Sequence, residues 1–292
     1  MASKCNEILR QVQTVIIGKD EILAKVLMAI LSGGHILLED VPGVGKTTLA
    51  LAFAKTLGIH SKRMQFTSDS MPSDVIGFSV YDKAGGALAY KPGAAMTNLL
   101  LADEINRSPA KVQSALLEAM QEHQVTIGDN TYQLPRPFLV MATQNPLEQE
   151  GTYPLPEAQV DRFMLKVKIS YPQKEEERQI IRQNMLGAKF PKASKVVTPE
   201  AILKAREVVS EVYMDEKIER YIVDIIFATR EPMSYGLDRL ATMIGYGCSP
   251  RASIALAKAA KAYAFIKRRG YVIPEDVRAV CPDVMRHRIG LT

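Results

Sequence analysis

Five stretches in the first part of the chain are continuous in hydrophobic character rather than alternating: HILLED (35–40), RMQF (63–66), NLLLADE (98–104), FLVMATQN (138–145) and FMLKVKI (163–169). A strand with one wet face alternates apolar and polar positions, whereas a strand covered on both faces does not, so these runs predict buried strands of a parallel sheet. Between them, apolar residues recur every three or four positions over 20–32, 46–57 and 108–122, the spacing of a helix with one buried face. The alternation of strand and helix predicts an open, mostly parallel five-stranded sheet between layers of helices.

The texture changes at SYPQKEEER (170–178). Beyond it, five segments carry the helical period: 172–185, 198–212, 215–231, 249–270 and 273–288. Thr198 before Pro199 has the chemistry of an N-cap followed by proline at the first helical position. The chain therefore divides into an α/β core over 1–172 and an all-α region over 173–292. Two hairpins interrupt the core, at 77–93 around Gly85-Gly86 and at 124–134 around Gly128-Asp129-Asn130, residue types that tolerate positive φ. Neither is needed to complete the sheet, so both are expected to project from it. No tandem repeat or low-complexity tract is visible.

Composition narrows the class. The 292 residues are 47% hydrophobic and 24% charged, ordinary for a globular protein. No run reaches the roughly eighteen apolar residues of a membrane span, and the start, MASKCNEILRQVQ, lacks the apolar stretch of a secretory signal. Three cysteines, Cys5, Cys248 and Cys281, form neither a disulfide framework nor a metal knuckle, which points to reduced thiols and a cytoplasmic setting. Net charge is −1 over residues 1–172 and +6 over 173–292. The basic third is the solvated face of a helical region, or a surface for nucleic acid or an acidic partner. Trp is absent and other aromatics are few, which leaves little for base stacking.

The most informative stretch is EDVPGVGKTT (39–48). A phosphate-binding loop needs a strand to deliver it, small residues that let backbone N–H groups converge on phosphate oxygens, a lysine for the β- and γ-phosphates and a hydroxyl for magnesium. Gly43, Val44 and Gly45, then Lys46, then Thr47 and Thr48 supply these in order, and the helix that begins at Lys46 turns its positive end to the phosphates. The strict spacing has glycine at position 40, where this chain has Asp40; the alternative is a turn before an amphipathic helix. Asp103-Glu104 at the end of a buried strand suit a metal-placing carboxylate and a base for the attacking water, or a strand running out into solvent. Asn145 can orient that water, although Asn-Pro is also a turn signal. Arg162 and Arg251 can stabilise charge on a transferring phosphoryl group, or serve as ordinary surface arginines.

In this order and at these separations the motifs resemble those of AAA+ ATPases, and among them the MoxR family. The most specific stretches are LLEDVPGVGKTTLA, RMQFTSDSMPSDVIG, LLADEINRSPAKVQSALLEAMQE, VMATQNPLEQEGTYPLPEAQVDRF and GCSPRA. The resemblance implies a P-loop NTPase three-layer αβα core followed by a helical lid, with residues 43–48 as Walker A and Asp103-Glu104 as Walker B. It implies Asn145 as sensor 1, Arg162 as arginine finger, Arg251 as sensor 2, and Ile16, Ile17 and Gly18 beside the adenine. It places the Asn145 strand between the loop strand and the Glu104 strand, and it turns both hairpins toward a central pore. It further implies ATP and Mg²⁺ as cofactors, with Thr47 and Asp103 on the metal, a hexameric ring, protein clients and a von Willebrand factor A domain partner. The rival is a DNA-acting AAA+ motor of the helicase or branch-migration type; no winged-helix or helix-turn-helix pattern follows residue 230.

Overall fold

In the computed structural model, residues 2–40, 45–82, 87–145, 152–185 and 191–292 are described. The chain opens with two helices, α1 (Ala2–Gln13) and α2 (Asp20–Ser32), and enters the sheet through β1 (Ile36–Asp40). α3 (Lys46–Leu57) and β2 (Ser61–Gln65) follow, then the short α4 (Pro72–Ile76) and a hairpin of β3 (Gly77–Asp82) and β4 (Ala87–Pro92). β5 (Leu99–Asp103), α5 (Ala110–Glu122) and a second hairpin, β6 (Gln124–Ile127) with β7 (Asn130–Gln133), lead to β8 (Leu139–Gln144), the one-turn α6 (Glu157–Val160) and β9 (Leu165–Ile169).

The sheet runs β2-β5-β8-β1-β9, parallel throughout. β8 thus lies between β1 and β5, the order expected from the resemblance. All five strands fall on or beside the runs that were continuous in sequence, and for β1, β5 and β8 in the middle of the sheet the reason is burial. The edge strands depart from the expectation, β2 being largely exposed and β9 alternating between buried and wetter positions, because an edge strand is covered less. Leu99 to Ala102 and Leu139 to Ala142 are each no more than 2% exposed, because helices cover both faces. One face meets α1, α2 and α3 through Leu38, Leu101, Met141 and Phe53. The other meets α5 and the base of the hairpins through Leu37, Leu100, Val140 and Leu116.

The second half contains α7 (Lys174–Met185), α8 (Pro199–Ser210), α9 (Glu216–Arg230), the single turn α10 (Asp238–Ala241), α11 (Pro250–Ile266) and α12 (Pro274–Met285). Thr198 caps α8, its hydroxyl accepting from the Ala201 N–H at 3.4 Å. The segments expected from the sequence do not include α10 or an antiparallel ribbon of β10 (Ile244–Tyr246) and β11 (Gly290–Leu291) within the helical region. The helices do not form a separate core. Leu256, Val277 and Ile218 join the same buried cluster as Leu23, Leu38 and Leu165. Lys25 of α2 and Asp283 of α12 pair at 2.7 Å, with the Asp283 side chain 2% exposed.

Both hairpins form and carry their own two-stranded pairing outside the main sheet. The first is rooted by two glycines in close approach. A Cβ on Gly77 (φ 94°) would meet the Lys91 carbonyl oxygen at 2.4 Å, and one on Gly93 would meet the Gly77 nitrogen at 2.4 Å. Gly85 and Gly86, expected at its turn, lie outside the described residues. Phe78, Val80, Tyr81 and Leu88 on this hairpin are exposed. Among the described residues no helix is long and apolar enough to cross a membrane.

Candidate active site

The carboxyl edge of the sheet gathers the chemistry. β1 delivers the chain to Gly45, whose φ of 83° no side chain adopts easily, and α3 starts at Lys46. Gly43 and Val44 lie outside the described residues. Lys46 Nζ stands 3.3 Å from Asp103 Oδ1, on the neighbour-but-one strand. Thr47 and Thr48 occupy the first turn of α3. Asn145, 6% exposed, follows β8 between them.

Thr143, in β8, ties the acidic pair together. Its hydroxyl donates to Asp103 Oδ1 at 2.7 Å and accepts the Glu104 N–H at 2.9 Å. Arg63 donates to Asp103 Oδ2 through Nε (3.2 Å) and Nη2 (2.7 Å). Burial pushes the Asp103 carboxyl up, but the Thr143 and Arg63 hydrogen bonds and the Lys46 charge outweigh it, and the net shift is downward. Asp103 is therefore an anion with an oxygen facing Lys46. Glu104 is held from the side: Oε2 accepts from Gln65 Nε2 and from Arg107 Nε, both at 2.8 Å. Its backbone is left-handed, φ 57° and ψ 50°, a conformation that costs of order 1–3 kcal/mol for a residue with a side chain. It lets the chain turn sharply out of β5, so that Asp103 faces β8 while Glu104 reaches toward β2.

Beside Lys46 lies a hollow walled by Ile16, Lys19, Ile22, Gly45, Leu49 and Ile169. Its described walls enclose about 10 Å³, and residues 41–44, between β1 and Gly45, lie outside the description. Ile17 and Gly18 adjoin it. Gly18 has φ 68°, a left-handed conformation that strains a residue with a side chain, and a Cβ there would also displace the carboxylate tip of Glu176 of α7. The donors suit a triphosphate with a hard divalent cation: a lysine at a helix start, a hydroxyl, one ionised carboxylate and no soft ligand. Among the described residues no group of three or more His, Cys, Asp or Glu could hold a metal, and a magnesium bound through phosphates and one or two protein oxygens needs none.

Arg162 and Arg251 are not in this cluster. Both stand at the amino edge of the sheet. The segment that carries Arg162 runs into β9, where Met164 N–H donates to the His35 carbonyl just before β1. Arg251 Nη1 lies 3.5 Å from Asp161 Oδ2. Five-residue strands span roughly 17 Å, so within one subunit the two arginines are about a strand's length from Lys46. They line a separate cleft of about 310 Å³ with Lys258, His35 and Gly33. Burial pushes His35 down to about 4, so the arginines and Lys258, not His35, make this cleft cationic. Arg162 Nε is buried without a hydrogen-bond partner among the described residues.

Residues 35–165 match the ATPase family associated with various cellular activities (AAA), and residues 237–291 match an AAA lid domain. Over 282 residues the chain is 46% identical to Chaperone MoxR1 of Mycobacterium tuberculosis, spanning 97% of this chain and 74% of that protein. The chain belongs to the MoxR family of AAA+ ATPases. Protein MoxR of Methylorubrum extorquens is 30% identical over 303 residues, 97% of this chain and 86% of that one. A crystal structure of an ATPase candidate from Cytophaga hutchinsonii superposes with a TM-score of 0.94 at 49% identity, covering 100% of this chain and 88% of that one.

Four site residues of this MoxR-family chain escaped the motif reading: Arg63, Gln65, Arg107 and Thr143. A signal existed for two of them. Arg63 and Gln65 are two apart in RMQF, on one face of a strand, and a cation and an amide on one strand face suit neighbouring carboxylates. Thr143 had no such signal, because a threonine inside FLVMATQN reads as an ordinary β-former.

Proposed function

We propose that this chain hydrolyses ATP to ADP and phosphate at sites shared between subunits of a ring, and uses the cycle to remodel protein clients. One observation carries the reading. The groups suited to holding a triphosphate and activating water, Lys46, Thr47, Asp103, Glu104 and Asn145, sit at one edge of the sheet, while the cations suited to phosphoryl charge, Arg162 and Arg251, sit at the other. Neither set is complete alone. Head-to-tail association brings one subunit's amino edge to the next one's carboxyl edge and closes into rings; six subunits is the number the family implies.

In this mechanism Lys46 and the amides of the phosphate loop bind the β- and γ-phosphates, and Ile16 and Ile22 wall the adenine. Thr47 and Asp103 would hold Mg²⁺, which neutralises developing phosphate charge when bound. Asn145 orients the attacking water. Glu104 accepts its proton after leaving Gln65 and Arg107. Arg162 and Arg251 of the neighbour stabilise the transferring phosphoryl group. The core is assigned to residues 1–172 and the lid to 173–292, in a cytoplasmic protein. Exposed Phe78, Tyr81 and Leu88 on the first hairpin support contact with clients, as does the name of the mycobacterial relative. A von Willebrand factor A domain protein is the expected partner.

The test is phosphate release alongside nucleotide binding. Arg162→Ala lowers kcat by about 10³-fold or more and leaves ATP affinity near parental. Glu104→Gln binds ATP without turnover. An Arg162→Ala variant at the parental rate rules out the shared site. A steep, salt-dependent affinity for DNA in filter binding supports the DNA motor instead.

A further inference from the structure

Two consecutive lid residues close around the segment that presents Arg162. Arg288, just beyond α12, is 5% exposed. Its Nε donates to Asp161 Oδ1 at 2.7 Å, and Nη2 donates to the carbonyls of Asp161 (2.8 Å) and Phe163 (2.7 Å). Nη1 donates to the carbonyl of Met164 at 3.2 Å and to that of Val284. His287 Nε2 lies 3.0 Å from the Phe163 carbonyl; a carbonyl only accepts, so that nitrogen carries the proton. The carbonyls on either side of Arg162 are thus all held by the lid, while the Arg162 side chain is left to the cleft.

A buried ion pair by itself is weak evidence for a stabilising role. The Arg288 guanidinium does more than pair. It spreads its donors over a carboxylate and a run of backbone carbonyls, a planar fork that a lysine cannot reproduce. The Asp161 carboxylate also accepts from Ser249 Oγ, at the start of α11, at 2.8 Å. The lid therefore grips this short piece of core from α11 and from the end of α12.

We propose that Arg288 is a positioning residue for Arg162: by holding the backbone on both sides of it, Arg288 makes the direction in which Arg162 enters the neighbouring subunit's site follow the placement of its own lid. This rests on the shared-site reading above. A change of lid position caused by one subunit's nucleotide then reaches the next subunit as a change in catalytic geometry, since misplacement of a catalytic group by about 1 Å costs on the order of 10² in rate.

The test uses steady-state phosphate release by Arg288→Lys, Arg162→Ala and the double variant of the full chain. Arg288→Lys lowers kcat roughly 10- to 100-fold with KM for ATP within about twofold, because the binding groups are at the opposite sheet edge. The double variant is slower than Arg162→Ala alone by much less than the loss in Arg288→Lys, since the two changes act chiefly through one side chain, with Asp161 linking Arg288 to Arg251 as the lesser route. Parental kcat in Arg288→Lys, or losses that multiply in the double variant, overturns the proposal. Parental turnover by Arg162→Ala is the separate signature of a failed shared-site reading. Should Arg288→Lys not fold, His287→Ala removes one donor from the same segment and shows the same split of kcat from KM, and His287→Gln, which restores an N–H, regains the rate. Unchanged kcat in His287→Ala counts against the idea.

Discussion

Thr143 illustrates how much a single hydroxyl can organise. It is fully buried, donates to Asp103 and accepts from the Glu104 backbone, so it fixes two adjacent carboxylate residues relative to each other. Thr143→Val keeps the shape and deletes both bonds. A hydrogen bond to a charged group contributes about 1.5–3 kcal/mol, so kcat should fall roughly 10- to 100-fold, while Thr143→Ser retains most of it. Phosphate release on the two variants decides, and equal rates for Val and Ser would show that the hydroxyl is dispensable. At this scale the sequence was partly legible. Lys46, Thr47, Asp103 and Glu104 announce themselves because phosphate and water chemistry demands those types at strand ends. The restraints on them do not, because Arg63, Gln65 and Arg107 come together only when β2, β5 and the turn after Glu104 are folded. The separation of Arg251 from Lys46 was likewise invisible, since no local pattern states at which edge of a sheet a lid helix begins.

Among the elements, α11 begins where the lid meets the core. Ser249 caps it, accepting the Arg251 N–H at 3.2 Å, and its hydroxyl also donates to Asp161 at 2.8 Å. Thr198 caps α8, and its second contact is the solvent-exposed Glu200, where charge is screened, rather than a half-buried carboxylate like Asp161. Losing an N-cap costs about 1 kcal/mol, and losing a bond to a carboxylate adds about 1.5–3 kcal/mol. Urea denaturation should therefore show Ser249→Ala destabilised more than Thr198→Ala; equal midpoints would mean that the Asp161 contact contributes nothing. The central strands and the long helices were readable because burial on two faces leaves an unbroken apolar run and burial of one helical stripe leaves a period. The one-turn helices α4, α6 and α10 and the β10–β11 ribbon are shorter than any period. The first helix buries Cys5, Ile8 and Val12 at helical spacing, a stripe of only three residues among the polar ones of MASKCNEILRQVQ.

Across the whole molecule, the lid and one face of the sheet share a single apolar cluster, and ion pairs such as Lys25–Asp283 and Arg288–Asp161 cross between them. Elements that share a core unfold together. Calorimetry should give one transition with matching calorimetric and van't Hoff enthalpies, and two resolved transitions would show that lid and core are independently stable. The change in hydrophobic texture near residue 172 marks where sheet gives way to helix, not where packing stops. Charge balance said least, because pairs such as Arg269 with Asp276 take one charge of each sign and leave the net excess of the second half with no address on the surface.

Glu104 and Arg162 belong to one rigid slab yet face away from each other across its width. In the ring proposed above, each copy would be a receiver along one side and a donor along the other, so neighbours would stand in an order, like people in a queue. In that ring catalytic help would pass in one rotational sense only, and a lone copy, however well folded, would grip its fuel without the neighbour's cations that speed the burning.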